Sequence, residues 1–399
     1  MGPFRVLYID MNSFFASVEQ QLNPALRGRP LAITAMENEK GCCVAASYEA
    51  KAYGIKTGTS VPDARRMCPQ IVFLPSRHKV YVRHNLMVAE VLDRHAELQR
   101  IRSVDEFQIG LSGEATTLEG AFALVRTLKS AVATEIGEQL RFSAGIGPNH
   151  LLAKIAGKLE KPDGCQWLGP ENMPDRLAHL ALDDLPGISR AMGERLRRAG
   201  VHDIPSLWAL DPRHARAIWN SVEGERFVRM LQGMDVPLTD TQRGGYGNSK
   251  VLAPDFRRPA EAYLVSRWLI EKAAQRLRRD GRVAARFTLH MAPMGAERVV
   301  GSVKCAPSQD TQTFLQINRA LWRSAWPRIR NKKLAMIGVN LSRCGSAGET
   351  LRGPSAAVAA RRAECARTCV SGDRFHQRPL RGRDHHRRPE PAASGLLRA

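Results

Sequence analysis

The sequence contains no run of about 18 apolar residues, so it offers no candidate for a membrane-spanning helix. Its first residues, MGPFRVLYID, lack the charged region and cleavage site of a secretory signal and read as a buried strand. A cytoplasmic location is the expectation. Cysteines are too few and too irregularly spaced to build a disulfide framework. Cys42, Cys43, Cys68, Cys165, Cys305 and Cys344 lack metal-ligand spacing, while Cys365 and Cys369 sit near histidines in a polar tail. Reduced thiols are expected. Acidic residues are also in short supply: 39 Asp and Glu stand against 60 Lys and Arg, a formal net charge of +21. A surplus of that size repels itself and attracts polyanions, which makes nucleic acid the expected partner.

What is present is enough for several folded domains. With 399 residues, of which 43% are hydrophobic, the chain exceeds a single core. Residues 5–9 form a short β-favouring run that ends at Asp10, and Asn12 or Ser13 can cap a following helix with Phe15, Val18 and Leu22 on its apolar face. Short strand-like and helical segments fill residues 30–74, and a longer helix is expected over residues 80–95. In QRIRSVDEFQIGL, residues 99–111, apolar runs flank an acidic turn at Asp105 and Glu106, the pattern of an antiparallel pair. A helix near 120–136 and a strand near 141–146 complete the block. Strand, helix, two strands, helix, strand is the order of a ferredoxin-like split βαβ fold, interrupted by an insert near residues 22–77. That order brings Asp10 beside Asp105 and Glu106.

Residues 185–201, LPGISRAMGERLRRAGV, read as helix, hairpin and helix, with a turn at Pro186 and Gly187 and a cap at Ser189. RGGYGN at 243–248 reads as a linker. A second α/β module follows, with helices at 260–279 and 310–322 and strands at 284–291, 297–304 and 334–341. From residue 345 onward Arg, Ala, Gly and Pro dominate, a composition that cannot bury enough surface to order itself.

Three acids at one point of a sheet suit the transfer of a nucleotide to a 3′-hydroxyl. One hard divalent ion activates the hydroxyl, and a second neutralises the triphosphate. Mg²⁺ prefers such oxygen ligands. Alone, each acid reads as a helix cap or a solvated turn residue; the strand order is what joins them.

The motifs YIDMNSFFASVE at 8–19, SYEAKAYGIKTG at 47–58, SVDEF at 103–107, KPDG at 161–164 and NSKVLAPDFR at 248–257 resemble, in order and spacing, those of Y-family lesion-bypass DNA polymerases, nearest the bacterial DinB-like type. The resemblance covers about residues 4–343. It implies an α+β multidomain chain: a palm (1–21 and 78–165), small fingers (22–77), a helix-hairpin-helix thumb (166–240), an α/β little finger (245–343) and a disordered tail (345–399). It implies two Mg²⁺ ions on Asp10, Asp105, Glu106 and the Met11 carbonyl, with primer-template DNA and deoxynucleoside triphosphates as partners. Phe14 and Phe15 fall in the nucleotide site, Phe15 at the steric gate against a 2′-hydroxyl; its plain reading is a core residue of the first helix. Tyr48, Lys51 and Lys161 fall where the triphosphate is held, although the family usually has Arg in place of Lys51. A lysine keeps the charge but gives up the bidentate fork. Cys42, Val44 and Gly58 match positions that roof the nascent base pair. DNA contacts are expected from Gly187 and Ser189 in the hairpin, from Arg276 and Arg279 within a cluster that also holds Arg278, Arg282 and Arg286, and from a basic face of Lys154, Lys158 and Lys161.

The expected activity is low-fidelity translesion synthesis without proofreading by a monomer. No sliding-clamp docking motif stands near the C-terminus, so clamp binding is either lost or internal. A nucleotide cyclase also pairs acids on such a palm, but it needs neither the hairpin nor the basic last domain. A non-catalytic, DNA-binding polymerase relative serving as a mutagenesis scaffold would typically lack the acids.

Overall fold

The computed structural model describes residues 4–35, 41–237 and 243–346. The chain divides into two compact units at Leu238 and Thr239. The first runs β1 (Val6–Met11), α1 (Phe14–Leu22), β2 (Leu31–Thr34), β3 (Cys43–Ala46), α2 (Tyr48–Ala52), α3 (Val61–Met67), β4 (Val72–Pro75), α4 (His78–His95), β5 (Leu98–Ile101), β6 (Glu106–Gly110), α5 (Leu118–Glu135), β7 (Phe142–Gly147), α6 (His150–Leu159) and β8 (Cys165–Trp167). Four short helices follow: α7 (Arg190–Arg198), α8 (Ile204–Trp208), α9 (Pro212–Trp219) and α10 (Val222–Leu231).

The main sheet has the order β5-β6-β1-β7-β8, with β1 antiparallel to both β6 and β7. Its first four strands in chain order therefore interleave as two split β-α-β units. Strand periodicity sorts the side chains between two faces. Leu7, Ile9, Met11, Phe107, Ile109, Phe142, Ala144 and Ile146 point into one core with buried residues of α1, α4 and α5. Val6 and Tyr8 point the other way, onto Ala153 of α6. Here the sheet has glycines: a Cβ on Gly145 would lie 2.0 Å from the Ala153 carbonyl oxygen and 2.2 Å from the Gly157 nitrogen. Only a bare backbone lets α6 come this close.

Residues 31–75 form a separate three-stranded sheet, β3-β2-β4, on a small core of Ala32, Cys43, Ala46, Ala50, Ile55, Ala64, Cys68 and Ile71. The helices α7–α10 share a core with Leu151, Leu152 and Ile155 of α6. Ser189 accepts from the Met192 amide and caps α7, and Gly187 has φ +96°, the left-handed region that favours glycine. The first arm of the expected hairpin is not a helix, however. Leu182–Asp184 make only one 3₁₀ turn before Pro186, which removes a donor.

The second unit runs β9 (Gly245–Val251), α11 (Pro259–Arg279), β10 (Arg282–Pro293), β11 (Val299–Ser308), α12 (Thr311–Ile329) and β12 (Leu334–Ser346). Its antiparallel sheet has the order β11-β10-β12-β9 and shares one core with α11 and α12. Two expectations are corrected here. The glycine-rich 243–248 segment is no linker, since Gly245–Val251 pair along β12 from Ser342 to Met336. Backbone pairing holds this edge together with the buried Tyr246, and its glycines fit beside Asn340, where a Cβ on Gly245 would meet Asn340 Oδ1 at 3.0 Å. The last strand also runs past residue 344, with Gly345 and Ser346 paired to Val283 and Arg282. The remainder of the expected tail lies outside the described residues. No helix among the described residues is long and apolar enough to cross a membrane.

Candidate active site

Asp10 and Glu106 are direct cross-strand partners in β1 and β6. Their neighbours Ile9 and Phe107 point into the core, so period 2 places both carboxylates on the face that carries α6. Directly opposed side chains have Cβ atoms about 4.5–5.5 Å apart, and like charges there repel. Asp105 continues the ladder, its carbonyl accepting from the Met11 amide at 2.9 Å. All three acids expected from the sequence thus meet at one end of two adjacent strands.

Two lysines answer the repulsion. Lys161 Nζ lies 2.6 Å from Asp10 Oδ2, and Lys154 Nζ lies 2.5 Å from Glu106 Oε1. Lys154 also donates to the Tyr8 hydroxyl at 3.1 Å and stands over the Tyr8 ring. Asp105 Oδ1 accepts from Ser103 Oγ at 2.5 Å. Burial pushes the Asp10 carboxyl up; Lys161 draws it back, and Asp105 and Glu106 add to the rise. Burial acts on Glu106 too, but the hydrogen bond and charge of Lys154 outweigh it and hold this carboxyl below its usual range.

Of the basic face expected from the sequence, Lys154 on α6 pairs with Glu106, and Lys161, past the end of that helix, pairs with Asp10. A ready-made metal cage is also absent, since among the described residues no three Asp, Glu, His or Cys side chains converge on one point. The donor set still fits a hard divalent cation. It offers only oxygen, its acids feel one another's charge, and an ammonium stands against each of two of them as a cation in place.

A second group of residues lies beside the acids. Ser47 caps α2, which starts with Tyr48 and carries Lys51. Lys51 Nζ donates to Ser13 Oγ at 2.8 Å and sits 4.2 Å from the Tyr48 ring centroid. Burial, and next the charge of Lys161, pull the Lys51 ammonium below the usual lysine range, with Asp10 offsetting part of it. Lys158 is lowered by burial and then by Lys154 and Lys161. Tyr48 is raised by burial and next by Asp10, with a hydrogen bond to Asn12 opposing. Lys51, Lys158 and Lys161 thus crowd positive charge next to Asp10, with the neutral Tyr48 phenol beside them.

Asn12 and Ser13 do not cap α1 with their side chains. Asn12 is buried and ties three segments together: Nδ2 donates to Ser143 Oγ at 3.0 Å, and Oδ1 accepts from the Asp163 amide at 2.8 Å. That bond holds the loop carrying Lys161. Sequence reading missed this role and that of Tyr8, although both lie inside the motif at 8–19. A polar side chain at the end of an apolar strand was the signal.

Phe14 is 3% exposed and packs its side chain in the sheet core. Phe15 is half-buried and stacks on Tyr81, with centroids 4.2 Å apart and planes at 15°. Gly58, at φ +90°, donates its amide to the Cys43 carbonyl beside exposed Cys42 and half-buried Val44. In the second unit Arg276 Nη2 donates to the Gly247 carbonyl at 2.7 Å, bracing β9, while Arg278 holds the Gln309 carbonyl and Thr311. Arg279 is largely exposed beside Asp280.

The chain is similar to known proteins over most of its length. A family model described as "impB/mucB/samB family" matches residues 9–158, and the model of that family's C-terminal domain matches 243–351. DNA polymerase IV of Moorella thermoacetica is 34% identical over 69% of this chain and 70% of its own. DNA polymerase IV of Pectobacterium atrosepticum is 27% identical over 85% and 95%. DNA polymerase IV 1 of Bacillus subtilis is 31% identical over 72% and 70%. Among solved structures, a chimera of the Y-family DNA polymerases Dbh and Dpo4 shares the fold at a TM-score of 0.71, with 22% identity over 85% of this chain and 98% of that one. An insertion ternary complex of Dbh DNA polymerase, also 22% identical over the same shares, has a TM-score of 0.55. The chain belongs to the impB/mucB/samB family and is a DinB-like Y-family polymerase.

Proposed function

We propose that the acid and lysine cluster on β1, β6 and α6 is the nucleotidyl-transfer centre of this chain. The chain is a translesion DNA polymerase, adding deoxynucleotides to a primer on a template. Primer-template DNA and deoxynucleoside triphosphates are its partners. The observation that carries the site assignment is the cross-strand pair Asp10 and Glu106, like charges opposed on one face and each answered by a lysine. A scaffold without catalysis has no use for such a pair.

Asp10, Asp105, Glu106 and the Met11 carbonyl would hold two Mg²⁺ ions. When bound, they activate the primer hydroxyl and neutralise the triphosphate. The rest falls to side chains of this chain. Lys154 keeps Glu106 ionised, and therefore fit to hold a cation, where burial alone would favour its protonated form. Lys51 and Lys161 bind the triphosphate oxygens, Tyr48 donates its hydroxyl to them, and Asn12 fixes the Lys161 loop. Phe15 closes the space that a ribose 2′-hydroxyl needs, and Gly58 keeps the roof of the pocket low. The unit-1 sheet with α4–α6 serves as palm, residues 22–77 as fingers, 166–240 as thumb, and 245–343 as little finger. Gly187 and Ser189 present backbone amides to DNA phosphates, and Arg276 and Arg279 add charge.

Asp105→Asn keeps the shape and removes one charged ligand. Primer extension falls by orders of magnitude while DNA affinity, read by fluorescence anisotropy, holds. Extension within a few-fold of the parent would sink the assignment.

A further inference from the structure

Glu19, in α1, is a carboxylate only 2% exposed and stands apart from the acids of the site. A buried charge is costly unless fully paired, and this one is. Arg77 Nε donates to Glu19 Oε1 at 2.9 Å, and Arg77 Nη2 donates to Oε2, a bidentate clamp. Tyr81 donates its hydroxyl to Glu19 Oε1 at 2.8 Å. Glu19 precedes the insert spanning 22–77 and Arg77 ends it, so the clamp joins the two points where the chain leaves and re-enters the main sheet's layer.

Tyr81 is 0% exposed and is fixed at both ends. Its hydroxyl is held by Glu19, and its ring lies flat against Phe15. His78 packs edge-on to both rings, at 6.2 Å from Phe15 and 6.5 Å from Tyr81. Burial first, with Glu19 adding, pushes the Tyr81 phenol up to about 12, so it remains a donor at every working pH. Phe15 is the half-buried outer ring of this stack. A wall that rejects one oxygen atom must be rigid, because a shift of a fraction of an ångström opens the space.

We infer that Glu19 is a positioning residue for sugar selection: through its clamp on Arg77 and its bond to Tyr81 it holds the Phe15 ring against the space of the 2′-hydroxyl. This rests on Phe15 being the gate. Arg77, Tyr81 and His78 serve the same end, and none of the four touches the reacting atoms.

The readout is the ratio of kcat/KM for a deoxyribonucleotide to that for its ribonucleotide, measured on the full chain with primer-template DNA. A partly folded preparation lowers both values alike and leaves the ratio unchanged, so a merely structural role does not move it. Glu19→Gln removes the charge that holds Arg77, and Tyr81→Phe removes the hydroxyl while keeping the stacked ring. Selection by shape is worth roughly 10- to 200-fold, so each variant should lose on the order of tenfold in the ratio. Arg77→Lys keeps the charge without the fork and should fall between these variants and the parent. Phe15→Ala is the reference arm. If it lowers the ratio and neither Glu19→Gln nor Tyr81→Phe does, the clamp idea is overturned and the gate stands. If Phe15→Ala leaves the ratio unchanged in a folded protein, the gate fails and the inference falls with it. Should Glu19→Gln not fold, Tyr81→Phe alone decides.

Discussion

At the scale of single residues, charge compensation governs the site. Asp10, Asp105 and Glu106, the proposed metal ligands, repel one another, and they are tolerable in the folded chain because Lys154 and Lys161 lie against two of them. Lys51 sits in the opposite situation. Burial and the neighbouring Lys161 lower its pKa, so it gives up its proton at lower pH than an ordinary lysine. In the proposed role only the protonated form binds a triphosphate, so affinity is full below that lowered pKa and is lost as pH rises through it. An arginine stays charged throughout the accessible range. Lys51→Arg should therefore carry kcat/KM for the nucleotide further into alkaline pH than the parent, as free-enzyme titrations appear in that parameter. Parallel alkaline limbs in the two proteins would remove Lys51 from the triphosphate site. The pairing of lysine with acid was not legible beforehand. Lys154 and Lys161 read as cations on one helix face, whereas Lys161 lies in the loop past α6, and only the register of β1 against β6 sets two carboxylates beside the pair.

At the scale of elements, α6 is the hub. It packs on the glycines of β7, carries Lys154 and Lys158, and shares its apolar face with α7–α10. A methyl on Gly145 would overlap the α6 backbone, so Gly145→Ala must push the helix outward and draw Lys154 away from Glu106. The expected result is a loss of stability at the level of an overpacked core, about 1–3 kcal/mol, with a drop in nucleotide insertion larger than the unfolded fraction explains. Denaturant melts and single-nucleotide insertion on the same preparation check this; unchanged insertion in a folded Gly145→Ala would mean that α6 does not set the site.

Most elements were readable from pattern, because α4 and α5 each bury one face and β1, β6 and β7 are short apolar-rich runs buried on both. Those that were misread share a physical cause. β9 holds by backbone pairing with almost no side-chain pattern, so RGGYGN looked like a linker. Leu182–Asp184 stop after one turn because Pro186 follows. Phe14 and Phe15 are adjacent aromatics whose separate fates, one buried in the core and one half-buried against Tyr81, depend on where α1 meets α4.

At the scale of the whole molecule, the net charge of +21 exceeds what the site's own lysines account for. Eleven arginines against five acids lie beyond residue 346, outside the described residues, and composition alone supplies the expectation there. Each phosphate neutralised releases counterions, so an arginine-rich segment steepens the dependence of DNA affinity on salt. Truncation after Ser346, which keeps β12 whole, should preserve single-nucleotide insertion at low salt and flatten the slope of log affinity against log salt. An unchanged slope would show that these arginines do not meet DNA.

The place of β1 at the centre of its sheet bears on the order in which the protein is made. β1 is translated well before both strands that flank it, β6 and β7, and α6 comes later still. Until then a nascent chain carries Asp10 on a strand with two open edges, the kind of template on which other chains pair. Closure of β6 and β7 onto β1 is non-local and therefore slow. If the proposed site is right, a growing chain cannot extend DNA before Lys161 has emerged, and chaperones have most reason to engage it while β1 still waits for its neighbours.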